Sequence, residues 1–122
     1  MIKVILDTNF LVYCAKQKID YVEDISNLMK SGFELTTISS VLIELEKLAK
    51  EEKKLSDRDA AKMALKILKA GAVKIILTGG DNADQEIIKL APGNIIATLD
   101  RGLKSKVERS IIIREGKKLE FS

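Results

Sequence analysis

The chain has 122 residues, 46% of them apolar, and a formal net charge of +3. That suffices for one domain, residues 1–122, with a real core, and it is too little charge to name a partner. There is no histidine and a single cysteine, Cys14, which excludes Ser-His-Asp and Cys-His catalysis, an internal disulfide and a Cys/His zinc site.

Apolar runs predict strands at 2–6, 33–38, 72–78, 94–99 and 110–114. Four of them, all but 33–38, are nearly continuous Ile, Val and Leu, as strands covered on both faces should be. Helical patterns fill 10–17, 20–31, 39–53, 56–70, 82–91 and 101–107, and Lys117 to Phe121 adds a short edge strand. Strand and helix in alternation predict an α/β fold with helices on both faces of a parallel sheet. Asp20 with Glu23, and Ser56 with Asp59, have capping-box spacing. Gly32 and Gly71 stand where helices should end, and Pro92-Gly93 separates a helix from a strand. Cys14 follows Phe10, Leu11, Val12 and Tyr13 and reads as a small packed group. No stretch approaches the roughly 20 apolar residues of a membrane helix. The opening MIKVIL reads directly as a strand, so a signal peptide is not expected and a cytoplasmic place is.

Four acids carry the chemistry. Asp7 ends the first strand run and Asp100 the fourth, while Glu44 and Asp84 fall near the starts of two helices. In an open parallel sheet, sites form beyond the carboxyl ends of the strands. Asp7 and Asp100 face one crevice if their strands are neighbours. Each would also serve as a helix N-cap. Glu44 lies at the border of a stripe formed by Leu45 and Leu48, where a carboxylate needs a partner. Asp81 or Asn82 caps the next helix, which leaves Asp84 in its first turn, where the dipole welcomes an anion. Crowded carboxylates repel unless a cation joins them. With oxygen donors alone, that cation is Mg2+ or Mn2+.

Thr8, Asn9 and Thr98 stand beside the acids, able to orient a ligand or to satisfy turn backbone. Between Arg101 and Lys118 there are seven basic residues against Glu108 and Glu115. Arg101, Lys104 and Lys106 lie close after Asp100, and a cationic surface next to an acidic cleft suits a polyanion. The five aromatics are spread along the chain, so base stacking is expected to be minor. Gly79-Gly80 is a weak phosphate cradle, and no GxxxxGK[ST] or GxGxxG accompanies it.

Taken together, Asp7-Thr8-Asn9, the run Ser40 to Leu48, Asn82-Ala83-Asp84 with Ile87-Ile88, and the run Ile96 to Lys104 resemble the PIN-domain family of metal-dependent ribonucleases. The family includes VapC-type toxins and pre-ribosomal RNA nucleases. The resemblance implies a three-layer α/β/α sandwich with a parallel sheet of order 3-2-1-4-5. It implies a cleft in which Asp7, Glu44, Asp84 and Asp100 bind Mg2+ or Mn2+ and catalyse RNA phosphodiester hydrolysis, with Thr8, Asn9, Thr98, Arg101, Lys104 and Lys106 on the substrate. A VapC-type member would have a small antitoxin protein as partner and form a homodimer; an RNA-processing nuclease would not need that partner. Many members carry a further acid where this chain has Gly102. That leaves open one metal or two, and keeps a catalytically weak or inactive RNA- or protein-binding module as the alternative.

Overall fold

A computed structural model describes residues 1–80 and 82–122. In chain order the elements are β1 (Ile2–Leu6), α1 (Thr8–Gln17), α2 (Tyr21–Leu28), β2 (Phe33–Ile38), α3 (Ser39–Glu51), α4 (Leu55–Lys69), β3 (Lys74–Ile76), α5 (Ala83–Leu90), β4 (Ile95–Ala97), α6 (Arg101–Lys104), β5 (Ser110–Arg114) and β6 (Lys118–Phe121). They form one six-stranded sheet of order β3-β2-β1-β4-β5-β6. The first five strands are parallel, in the expected 3-2-1-4-5 order, and β6 pairs antiparallel with β5 at the edge. Helices flank the sheet, as the expected three-layer α/β/α sandwich requires.

The core follows from the strands. Val4, Ile5, Leu6, Ile95, Ile96 and Ala97 are fully buried, and β1 pairs with β4 from Val4↔Ile95 to Leu6↔Ala97. On the helices, Phe10, Leu11 and Cys14 of α1, Val41 and Leu45 of α3, and Ala61, Ala64 and Leu68 of α4 point inward. Phe10 meets Tyr21 edge-to-face at 6.2 Å, so two of the aromatics do cluster, inside the core. Burial pushes the Cys14 thiol up to about 12, as a packed group rather than a nucleophile requires.

Several boundaries differ from expectation. β3 is three residues long, because Gly71 at φ 97° and the two residues after it turn the chain, while Thr78 is drawn to Ser39 and Ser40 of α3. β4 ends at Ala97, and α6 is one turn. The Asp20 carboxylate does cap α2, accepting from Glu23 N–H. The Ser56–Asp59 pair does not act as a cap: α4 begins one residue earlier, with Lys54 as an N-cap that uses no side chain. Gly32 lies before β2, and α2 ends at Leu28 with Met29 as its C-cap instead. Asn82 caps α5 by accepting from Gln85 N–H; Asp81, the other expected cap, lies outside the described residues.

Candidate active site

The strand order reverses between β1 and β4, and a cavity of about 680 Å³ opens where β1, β4, α1, α3 and α5 converge. Asp7, Glu44, Asp84 and Asp100 all line it. Residues 16 to 93 positions apart along the chain thus meet at one surface.

Asp7 is the deepest of the four, 4% exposed. Its N–H extends the sheet ladder to Ala97 O at 3.0 Å. One carboxylate oxygen accepts from Thr8 N–H at 2.8 Å, the other from the Thr98 hydroxyl at 2.7 Å. Desolvation raises its pKa, the two hydrogen bonds oppose that rise, and the nearby Asp84 and Glu44 carboxylates add to it.

Asp100 begins from the same topology and ends differently. Its Oδ1 accepts from the N–H groups of Gly102 and Leu103 at 2.8 and 3.3 Å, a helix N-cap on α6. Its own N–H donates to Thr98 Oγ1 at 3.1 Å. Thr98 therefore joins the two acids: it donates to Asp7 and accepts from Asp100.

Glu44 is placed by the packing of Val41 and Leu45 beneath α3 and by Ser40, which bonds Thr78 and Gly80 O. It sits exposed on the rim, and its partner is the Thr8 hydroxyl at 2.8 Å. Asp84 is exposed in the first turn of α5, anchored by buried Ala83 and Ile87. Asn9 accepts from Leu99 N–H at 3.1 Å. The three neutral polar groups thus hold the loops and the acids in register.

Arg101, Lys104 and Lys106 are not among the residues lining the cavity. Its basic lining residue is Lys16, which the charge pattern around Asp100 drew attention away from. Helical spacing could have found it, since Asn9, Val12, Tyr13 and Lys16 share the face of α1 that turns to the cavity. Tyr13 also lines the cavity, its hydroxyl donating to Gly116 O at 2.8 Å. Over Gly80, where a phosphate cradle was conceivable, the Glu86 side chain fills the space.

The donor set is hard oxygen throughout, and a buried carboxylate at its centre, desolvated and crowded by Asp84 and Glu44, fits a divalent cation. Among the described residues no three acids are close enough to ligate one ion jointly. The hydrogen bonds explain why: Asp100 is turned to α6 and Glu44 to Thr8. Glu44 and Asp84 are exposed, so packing does not fix their rotamers.

The family model described as the PIN like domain matches residues 4–114, and the chain belongs to that family. Ribonuclease VapC4 of Methanocaldococcus jannaschii is 31% identical over 128 aligned positions, spanning 99% of this chain and 97% of that protein. The structure of the PIN domain endonuclease Utp24 superposes with a TM-score of 0.76 at 26% identity, covering 97% of this chain and 90% of its own. VapBC2 from Rickettsia felis, solved bound to a DNA fragment from its promoter, shares the fold at a TM-score of 0.62 and 18% identity, covering 92% and 98%.

Proposed function

We propose that this chain is a divalent-metal-dependent ribonuclease that hydrolyses RNA phosphodiester bonds in the cytoplasm. The observation that carries the reading is the shared cavity: Asp7, Glu44, Asp84 and Asp100 arrive from four separate segments, and the most buried of them is held ionisable against desolvation by two hydrogen bonds. Its relatives by sequence and fold, Ribonuclease VapC4 and the endonuclease Utp24, support a nuclease.

The roles divide by burial. Asp7 and Asp100 would hold Mg2+ or Mn2+ from the sheet side, with Glu44 and Asp84 on the rim. The bound ion would supply charge neutralisation at the scissile phosphate and an activated water. Thr98 fixes the orientation of the Asp7 carboxylate and the position of the Asp100 backbone, and Thr8 fixes Glu44.

The likeness to VapC4 supports a VapC-type toxin, with a small antitoxin partner and a homodimer as its finer consequences. The likeness to Utp24 supports an RNA-processing role. A second reading, a PIN fold kept as an RNA or protein platform, is favoured by Gly102 and by the commitment of Asp100 to two backbone N–H groups. Cleavage of RNA in Mn2+ decides between them. The wild type should cut, and Asp100→Asn, which keeps a capping oxygen, should lose at least about a thousandfold in kcat/KM, roughly 4 kcal/mol of transition-state stabilisation. Equal activity in both proteins would mark a contaminant and leave the platform.

A further inference from the structure

The cavity has an electrostatic problem that its acids do not solve. A phosphate chain entering it meets four carboxylates, and an ion bound among them serves the scissile phosphate alone. Lys16 is the basic residue among those lining the cavity. It stands two turns along α1 from Asn9, about 10 Å at 1.5 Å per residue. It thus lines the same cavity as the acids from the far end of α1, on a long and flexible side chain.

Its present partner is Asp57 on α4, with which the Lys16 ammonium forms an ion pair. Both side chains are partly exposed. Exposed pairs of this kind contribute little to stability and are readily exchanged. The pair holds the Asp57 carboxyl below its usual range, so Asp57 remains a charged, displaceable counter-ion at neutral pH. Arg101, Lys104 and Lys106 lie outside the cavity lining, which leaves Lys16 without a rival on this wall.

We propose that Lys16 binds the phosphate flanking the scissile one, and that RNA takes the place of Asp57 as its partner. This rests on the ribonuclease reading for its ligand. Lys16 is a binding residue here: it touches substrate away from the reacting atoms, so its loss belongs in KM and not in kcat.

The test uses a short fluorescein-labelled oligouridylate, titrated by anisotropy with Mn2+ in the Asp100→Asn background, beside steady-state cleavage by proteins that retain Asp100. Lys16→Ala should weaken binding about tenfold at low salt. It should also flatten the slope of log affinity against log salt by about 0.7, the share of one single-strand phosphate contact. KM should rise by a similar factor with kcat within about twofold. Lys16→Arg should restore both. Asp57→Asn should bind at least as tightly as its parent, because it frees the lysine. Unchanged affinity and slope in Lys16→Ala overturn the proposal. So does an Asp57→Asn protein that binds as poorly as Lys16→Ala, which would make the pair structural. A parent that binds RNA through Lys16 while the wild type does not cut sinks the nuclease reading and supports this contact. Cleavage with a KM indifferent to Lys16 does the reverse.

Discussion

The β1–α1 and β4–α6 junctions are built on one plan. Each central strand ends, an acid follows directly or after two residues, and a helix starts on that acid's side chain. At β4–α6 the plan is complete: Asp100 is half-buried and its Oδ1 is satisfied by two N–H groups of the helix it caps. At β1–α1 it is not. Asp7 accepts only its neighbour's N–H from α1, spends its other oxygen on Thr98, and is almost wholly withdrawn from water. The same grammar therefore yields one acid that stabilises a helix and one whose charge costs the fold. The difference lies in burial: Thr98 separates them by a single hydroxyl.

Metal should break the contrast with the largest effect. An ion that binds only the folded cavity stabilises by mass action, about 2.7 kcal/mol at a hundredfold excess over Kd. In a domain of this size that raises Tm by roughly 10 °C. Differential scanning fluorimetry with Mn2+ should show the rise in the wild type and lose most of it in Asp7→Asn. A rise that survives Asp7→Asn would place the ion elsewhere.

The cap should matter next. Asp100→Ala removes the acceptor for two N–H groups at the start of α6, and urea unfolding without metal should report a loss of about 1 kcal/mol. Its m-value should match the wild type, because the surface exposed on unfolding does not change. No loss would mean that water replaces the cap and that the two junctions differ less than their hydrogen bonds suggest.

How far these junctions were legible in the sequence follows from what each depends on. A parallel sheet was readable because Val4 to Leu6 and Ile95 to Ala97 are continuous apolar runs, as strands covered on both faces are, while the adjacency that brings Asp7 to Asp100 was carried by the family resemblance. Both acids were also readable as caps, since cap preference is local. Which of the two would be buried was not, because that is set by residues 91 positions away: Thr98 over Asp7. The Ser56–Asp59 spacing misled for the opposite reason. Ser and Asp are favoured throughout a first turn, so the motif does not fix the starting residue when α4 begins at Leu55. Lys16 was missed although α1's periodicity carries it, because seven basic residues after Asp100 made the denser signal. Asp84 and Glu44 sit on exposed helix borders, where pattern alone does not separate a rim acid from a solvated one.

The smallest effect is the sharpest test of the contrast, since its sign is opposite to that of Asp100. Burial raises the folded pKa of Asp7 above the ordinary carboxylate value of 3.8, which the unfolded chain retains. As pH rises through the window between those values, the unfolded state gives up its proton first. The folded state then binds more protons, so stability falls across that window and stays lowered above it. An Asn at position 7 does not titrate. Its amide oxygen can keep the Thr8 N–H, and its NH2 can donate to Thr98 Oγ1, whose hydrogen then turns to Asn9 Oδ1, 3.4 Å away. Asp7→Asn without metal should therefore melt roughly 2 °C higher than wild type at pH 7, the change that about half a kcal/mol makes in a domain of this size. The gain should shrink as pH falls and vanish only well below 3.8, at about pH 3, where both states of the wild type carry the proton. Melting curves from pH 3 to 8 measure it. A variant less stable than wild type at neutral pH would mean that the two hydrogen bonds to the carboxylate outweigh its desolvation, and Asp7 would then be a cap of the same kind as Asp100.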